Sequence, residues 1–182
     1  MNLILALVLT LVFLPVMLAV ALLVRLTSRG PVFFLSDRVG TDNNIFKMYK
    51  FRTMKVDTPN VATHQLSDPD QHLTSIGGFL RKTSLDEIPQ LINVLKGDMN
   101  FVGPRPALYN QDDLIALRTR KGVHKLGVGL TGWAQINGRD ELSIPEKVEF
   151  DEYYLHHRSL KLDLKIMFKT IFSVTMSEGI SH

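Results

Sequence analysis

Asp86 and Glu87 stand side by side in the stretch Thr-Ser-Leu-Asp-Glu-Ile-Pro, residues 83–89. Two adjacent carboxylates at the start of a helical pattern have two readings. One is capping: Ser84 with Glu87 three residues later fits a capping box, and acids in a first turn suit the helix dipole. The other is chemical: one carboxylate attacks and the other assists. Pro89 weighs against the box. With Ser84 as N-cap, the missing N–H of Pro89 would have bonded Leu85. A helix starting one or two residues later places Pro89 among the first positions, whose N–H groups have no intrahelical partner. That register frees Glu87, so capping explains one acid comfortably and two less so.

The neighbours favour phosphate chemistry. Arg81 and Lys82 lie just upstream. Downstream, Pro104 and Pro106 bracket Arg105 and restrict the backbone on both sides. An arginine braced in this way loses little entropy when its fork meets a phosphate. Arg139, after a Gly-rich run, is a second and less specific candidate. In Ile-Phe-Lys-Met-Tyr-Lys-Phe-Arg-Thr-Met, residues 45–54, Lys47, Lys50 and Arg52 interleave with apolar side chains. They form either the wet face of an ordinary strand or an anion-binding edge. A carboxylate can attack phosphorus and hold the group as an acyl phosphate. Because two anions must approach, a divalent cation is expected; Mg²⁺ with Asp86 and Glu87 among its oxygen ligands suits this best.

The elements that position these residues follow from pattern. The chain has 182 residues, enough for one domain with an appendage. Its 21 Lys+Arg against 18 Asp+Glu give a net charge of +3. This mild excess fits phosphate or lipid headgroups and gives no reason to expect a nucleic-acid partner. The absence of cysteine excludes disulfides, thiolate zinc sites and cysteine nucleophiles. Residues 31–54 read as two short strands in a hairpin. Residues 55–72 read as a long polar loop of the kind used for lids; its His64 and His72 match no metal spacing. Short helices are predicted over residues 75–82 and 86–96, the second stopped by Gly97, then over 112–121 and 145–157. The Gly-rich run 127–139 cannot be a helix interior.

Both ends of the chain carry apolar helices. From Asn2 to Val24 there is no charged side chain. Roughly 23 residues at ~1.5 Å each reach about 35 Å, enough for a hydrocarbon core of ~30 Å. A signal peptide is the competing reading, with Ala19-Val20-Ala21 as a small-x-small site. The lack of a basic n-region and the length of the run argue against it. Pro15 interrupts the run, so the helix either kinks and spans or bends back as a re-entrant anchor. Arg25 and Arg29 follow at once and place the rest of the chain in the cytoplasm. Near the C-terminus, Leu164, Met167, Phe168, Ile171, Phe172 and Thr175 line one helical face beside Lys161, Lys165 and Lys169. That face either lies in a membrane interface with the ammonium groups reaching headgroups or packs on the domain.

Four motifs in order, Tyr-Lys-Phe-Arg-Thr-Met, the stretch 83–106, Thr-Gly-Trp-Ala-Gln-Ile-Asn-Gly-Arg and Asp-Leu-Lys-Ile-Met-Phe, resemble the bacterial sugar transferases, the monotopic phosphoglycosyl transferases. The resemblance covers nearly the whole chain, and its length is that of the minimal members. It implies a mostly helical α+β fold. Residues 1–27 would form a re-entrant membrane helix broken at Pro15. Residues 28–182 would form a small cytoplasmic catalytic domain with a hairpin and interfacial amphipathic helices, on the bacterial inner membrane. The implied reaction moves a sugar 1-phosphate from a UDP-sugar to undecaprenyl phosphate and releases UMP. Asp86 would be the nucleophile, Glu87 its assistant or a Mg²⁺ partner, and Arg105 a phosphate ligand. Membrane lipids and downstream membrane glycosyltransferases are the other implied partners, and an N-acetylated amino sugar is the expected donor group. Leu14 stands where the family often has Ser before the proline, and the basic turn that usually precedes the membrane helix is missing. A membrane-anchored diphosphate hydrolase and a non-catalytic scaffold are the alternatives.

Overall fold

The computed structural model describes residues 2–59, 68–138 and 141–176, with the backbone alone from 173. The candidates His64 and Arg139 and the middle of the long loop lie outside these residues.

Helix α1 runs from Asn2 to Thr27 with Pro15 inside it. It is long and apolar enough to cross a membrane. The helix assignment continues through Pro15; what changes there is contact. Ala6 is fully buried, and Met17, Val20 and Val24 are buried further on, but every residue from Leu11 to Val16 is exposed. Both limbs of α1 therefore pack on the domain while the segment around Pro15 does not.

Strands β1 (Phe33–Val39) and β2 (Ile45–Phe51) form the expected antiparallel hairpin. Its turn holds Asp42 and Asn43 at φ +53° and +60°, a conformation their short polar side chains tolerate better than most. Helix α2 (Gly77–Lys82) follows, then α3 (Gln90–Lys96). Gly97 ends α3 at φ +83°, the left-handed stop foreseen from the sequence. Strand β3 (Asn100–Val102) leads into the proline-braced segment and β4 (Ala107–Leu108) leaves it. Helix α4 (Asp112–Arg120), strand β5 (Gly129–Thr131) and helices α5 (Ile144–His157) and α6 (Leu160–Met176) complete the described chain.

Two small sheets result: β2-β1-β4, antiparallel, and β3-β5, parallel. Between them lies the main core, built on Met48, Leu91, Val94, Phe101, Val102 and Ile166 and reached by Ala6 of α1. A second cluster joins Met17, Val20 and Val24 to Phe51 and Leu80. The fold is thus mostly helical α+β, as expected.

Helix α6 packs one face on the domain and leaves the other exposed. Ile166 is fully buried, and Thr170 meets Thr131 of β5 at 2.7 Å between hydroxyls. Met167, read from the sequence on the same face as Leu164, Phe168, Ile171 and Phe172, packs on the core. Leu164, Phe168, Ile171 and Phe172 remain exposed, as do Lys161, Lys165 and Lys169.

Candidate active site

The dyad lies ahead of α3, not within it. Leu85–Glu87 form a 3₁₀ turn, and Pro89 is the residue before α3. Ser84 sits at φ +55°, ψ +17°, and its hydroxyl makes no cap bond. The capping box considered for Ser84 and Glu87 does not form. A non-glycine residue in this left-handed region carries backbone strain. Here it turns the chain so that Asp86 goes inward, 7% exposed, while Glu87 is half-buried.

Asn93 sets where α3 stands. Fully buried, it accepts from the Tyr49 N–H at 2.9 Å and donates to the Lys47 carbonyl at 2.7 Å. Its amide thus satisfies the outer edge of β2 as a further strand would. The docking brings Lys50 over the dyad: Lys50 Nζ lies 2.7 Å from Glu87 Oε1 and 3.9 Å from Asp86 Oδ2. Arg105 Nη2 reaches the same Glu87 oxygen at 2.8 Å. Arg105 is exposed between the buried Pro104 and Pro106, so the bracing read from the sequence presents its side chain outward.

The two carboxyls are driven in opposite directions. Burial raises that of Asp86 above its ordinary value; the Lys50 charge opposes this and the Glu87 charge adds to it. Burial would raise Glu87 too, but Arg105 and Lys50 act on it both as charges and as hydrogen-bond donors. They hold its carboxyl well below the usual range. One acid is therefore a fixed anion clamped by two cations, and the other a less stabilised carboxylate beside it.

Arg81 stands near. Its Nε donates to Thr53 Oγ1 at 3.2 Å, and its charge is felt by Asp86. Arg52 has a different place from the phosphate site considered for it. It is 4% exposed and donates to the carbonyls of Arg29 at 2.6 Å and Ser28 at 3.0 Å, tying the end of α1 to the end of β2.

Arg38 was not among the residues singled out from the sequence. Its Nη1 donates to the Pro106 carbonyl at 3.2 Å and its Nε to Ser36 Oγ at 3.0 Å. Burial, then the neighbouring Arg105 charge, lowers its pKa to about 10, with Glu87 opposing. A signal was present: Arg38 pairs with Phe46, and Phe34 with Lys50, so alternation puts Arg38 and Lys50 on one face of the hairpin. Lys47 lies on the opposite face, paired with Asp37 at 2.7 Å.

Lys50, Arg81, Arg105 and Arg38 against Asp86 and Glu87 leave two positive charges in surplus. A surplus of that size matches the charge of a doubly charged anion such as a diphosphate. Among the described residues no group of three or more His, Cys, Asp and Glu side chains converges to cage a metal. Two carboxylates suit a Mg²⁺ ion that draws its remaining ligands from substrate phosphate and water.

Comparison with known proteins gives the family. The family model described as bacterial sugar transferase matches residues 1–177. The chain is 43% identical over 178 residues to the UDP-glucose:undecaprenyl-phosphate glucose-1-phosphate transferase of Escherichia coli, covering 94% of this chain and 38% of that protein. It is 46% identical over 161 residues to the uncharacterized sugar transferase EpsL of Bacillus subtilis, covering 87% of this chain and 77% of the other. A third relative is the UDP-N-acetylgalactosamine-undecaprenyl-phosphate N-acetylgalactosaminephosphotransferase of Aeromonas hydrophila, 38% identical over 172 residues, or 92% of this chain and 41% of that one. The chain thus spans about two fifths of the length of the first and third of these proteins. With the matched family model running almost end to end, this chain belongs to the bacterial sugar transferase family.

Proposed function

We propose that the chain transfers a sugar 1-phosphate from a UDP-sugar to undecaprenyl phosphate through a phosphosugar carried on Asp86. A carboxylate oxygen of Asp86 attacks the phosphorus that bears the sugar. The bond from that phosphorus to the bridging oxygen breaks, and UMP leaves with the electron pair. An oxygen of the lipid phosphate then attacks the same phosphorus, giving the lipid-linked diphosphate sugar and restoring the carboxylate. The observation that carries this reading is the split between the two acids. Glu87 is committed to Lys50 and Arg105, whereas Asp86, among the described residues, has only the 3.9 Å pair with Lys50. Burial without a close partner makes Asp86 the better nucleophile. Arg105, Lys50, Arg81 and Arg38 hold the diphosphate and its developing charge, with Arg139 as a further phosphate ligand. Mg²⁺, with Asp86 and Glu87 as its protein ligands, would neutralise the diphosphate as the anionic nucleophile approaches.

The same reading gives α1 the role of a re-entrant anchor. Both limbs touch the domain, while the exposed stretch Leu11–Val16 contains Pro15, as a bend dipping into the bilayer requires. The exposed apolar face of α6 and its lysine row then lie in the headgroup region, and Arg25 and Arg29 set the domain on the cytoplasmic side. The relatives' printed sugars, glucose and N-acetylgalactosamine, differ at both C2 and C4, and the N-acetylated amino sugar is kept as the first donor to try. The lipid-linked product would feed membrane glycosyltransferases that extend it.

The test is a UMP-release screen over UDP-glucose, UDP-galactose and their N-acetylated counterparts, with and without undecaprenyl phosphate. Sustained UMP release that needs the lipid, matched by lipid-linked sugar on thin-layer analysis, supports the proposal. Free sugar 1-phosphate formed equally well without lipid identifies a hydrolase instead.

A further inference from the structure

The Pro104-Arg105-Pro106 segment is held almost wholly by its carbonyls, because two of its three residues have no N–H. Each carbonyl takes a donor from a different part of the chain. Gly129 N–H reaches Pro104 O at 2.9 Å, Arg118 Nη1 reaches Arg105 O at 2.8 Å, and Arg38 Nη1 reaches Pro106 O at 3.2 Å. The middle bond is unusual in its backing. Arg118 is 8% exposed, and its other donors, Nε and Nη2, both meet Asp151 Oδ2, at 2.9 and 2.6 Å. Asp151 is 1% exposed and sits on α5.

Stability alone is a weak reason for this pair. A buried ion pair is often replaceable by apolar side chains of similar volume at no loss. What an apolar pair cannot do is donate to the Arg105 carbonyl. A fork with two donors on Asp151 has its remaining nitrogen aimed at the backbone of the residue whose side chain clamps Glu87.

We infer that Arg118 and Asp151 are positioning residues: their buried ion pair sets where the Arg105 guanidinium stands over Glu87 and substrate phosphate. This rests on the proposed function for its kinetic readout. The pair acts through Arg105 and touches neither reacting acid. It joins α4 to α5 across 33 residues of chain, and Arg118 carries that link to Arg105, 13 residues away.

The experiment is a mutant cycle on UMP release. Arg118→Lys keeps the charge and loses the fork, and should lower kcat about 10²-fold, the scale of a misplacement near 1 Å. In an Arg105→Ala background the same change should cost less than 2-fold further. The double replacement Arg118→Met with Asp151→Leu should melt within a few degrees of wild type and stay as slow as Arg118→Lys. Additive losses in the cycle, or full activity in the apolar double variant, overturn the inference and leave the pair a structural one. Should wild type release no UMP from any donor, the proposed reaction fails, not the clamp. UDP affinity by calorimetry on the same four cycle proteins then decides the clamp by the same additivity.

Discussion

Arg105 Nη2 and Glu87 Oε1 meet at 2.8 Å across 18 residues of chain. Together with Lys50, Arg105 settles which of two adjacent acids is held as a permanent anion. The residue left with the raised carboxyl is Asp86. The charge clamp on one acid is thus what leaves its neighbour available for chemistry, and most of the predictions below follow from that division.

Replacing Asp86 by Asn should abolish lipid-dependent UMP release and also stabilise the fold near neutral pH. The folded-state pKa of Asp86 lies above its unfolded value near 3.9, so its ionised form costs stability at high pH. That cost is absent below the unfolded pKa and fully present above the folded one. Thermal melts should show D86N ahead of wild type at pH 7 and level with it near pH 3. For the same reason the acid limb of the wild-type kcat/KM profile should lie above the range of an ordinary aspartate.

Glu87→Gln should act in the opposite sense. The folded-state pKa of Glu87 is depressed, so its contribution is present above the unfolded value near 4.3 and lost as pH falls through the folded value. At pH 7 the substitution should cost about 1.5–3 kcal/mol, the scale of charged hydrogen bonds. Below the depressed folded pKa, urea titrations of the two proteins should converge.

Arg52→Ala should be a stability variant. It removes donors to Ser28 and Arg29 carbonyls just past the end of α1, a loss of about 1.5–3 kcal/mol. The KM for UDP-sugar should change less than in Lys50→Met, which strips a cation from Glu87. The reverse ranking would return Arg52 to the phosphate site.

Reversing the charges of Lys161, Lys165 and Lys169 to Glu should remove the salt-sensitive part of the full chain's binding to anionic vesicles in flotation assays. Each lysine near an anionic surface contributes about 1 kcal/mol, and wild-type α6 should lose the same binding at high salt. Equal flotation of both proteins at every salt concentration would make that face a plain apolar surface.

The sequence revealed what local chemistry encodes. Asp86, Glu87 and the braced Arg105 could be named because adjacency and prolines are local, and the hairpin because its alternation is. Pro89 indicated a later helix start than the capping box needs, but the helix predicted over 86–96 still took in the dyad, which the structure places ahead of α3. What stayed hidden depends on distant partners. Arg38 meets the Pro106 carbonyl 68 residues away, and Arg118 meets Asp151 on another helix. Hairpin alternation could have put Arg38 on the face of Lys50, but it names no partner, and Arg118 lies in no motif with a spacing to read. Arg52 and Lys50 look alike in sequence, two positions apart. One tucks under the end of α1 and the other over Glu87 because β2 ends between them at Phe51. Met167 joined the core because α6 packs on β3 and β5 along a stripe centred on Ile166, a direction that helical periodicity alone does not give.

The most direct measurement is the intact mass of the protein quenched in acid after mixing with the accepted UDP-sugar in the absence of lipid acceptor. The account predicts a mass gain equal to one phosphosugar, located to Asp86 by fragmentation, matched by about one UMP per chain and absent from D86N. Full turnover with lipid present and no such adduct at any quench time, or an adduct that persists in D86N, would contradict it.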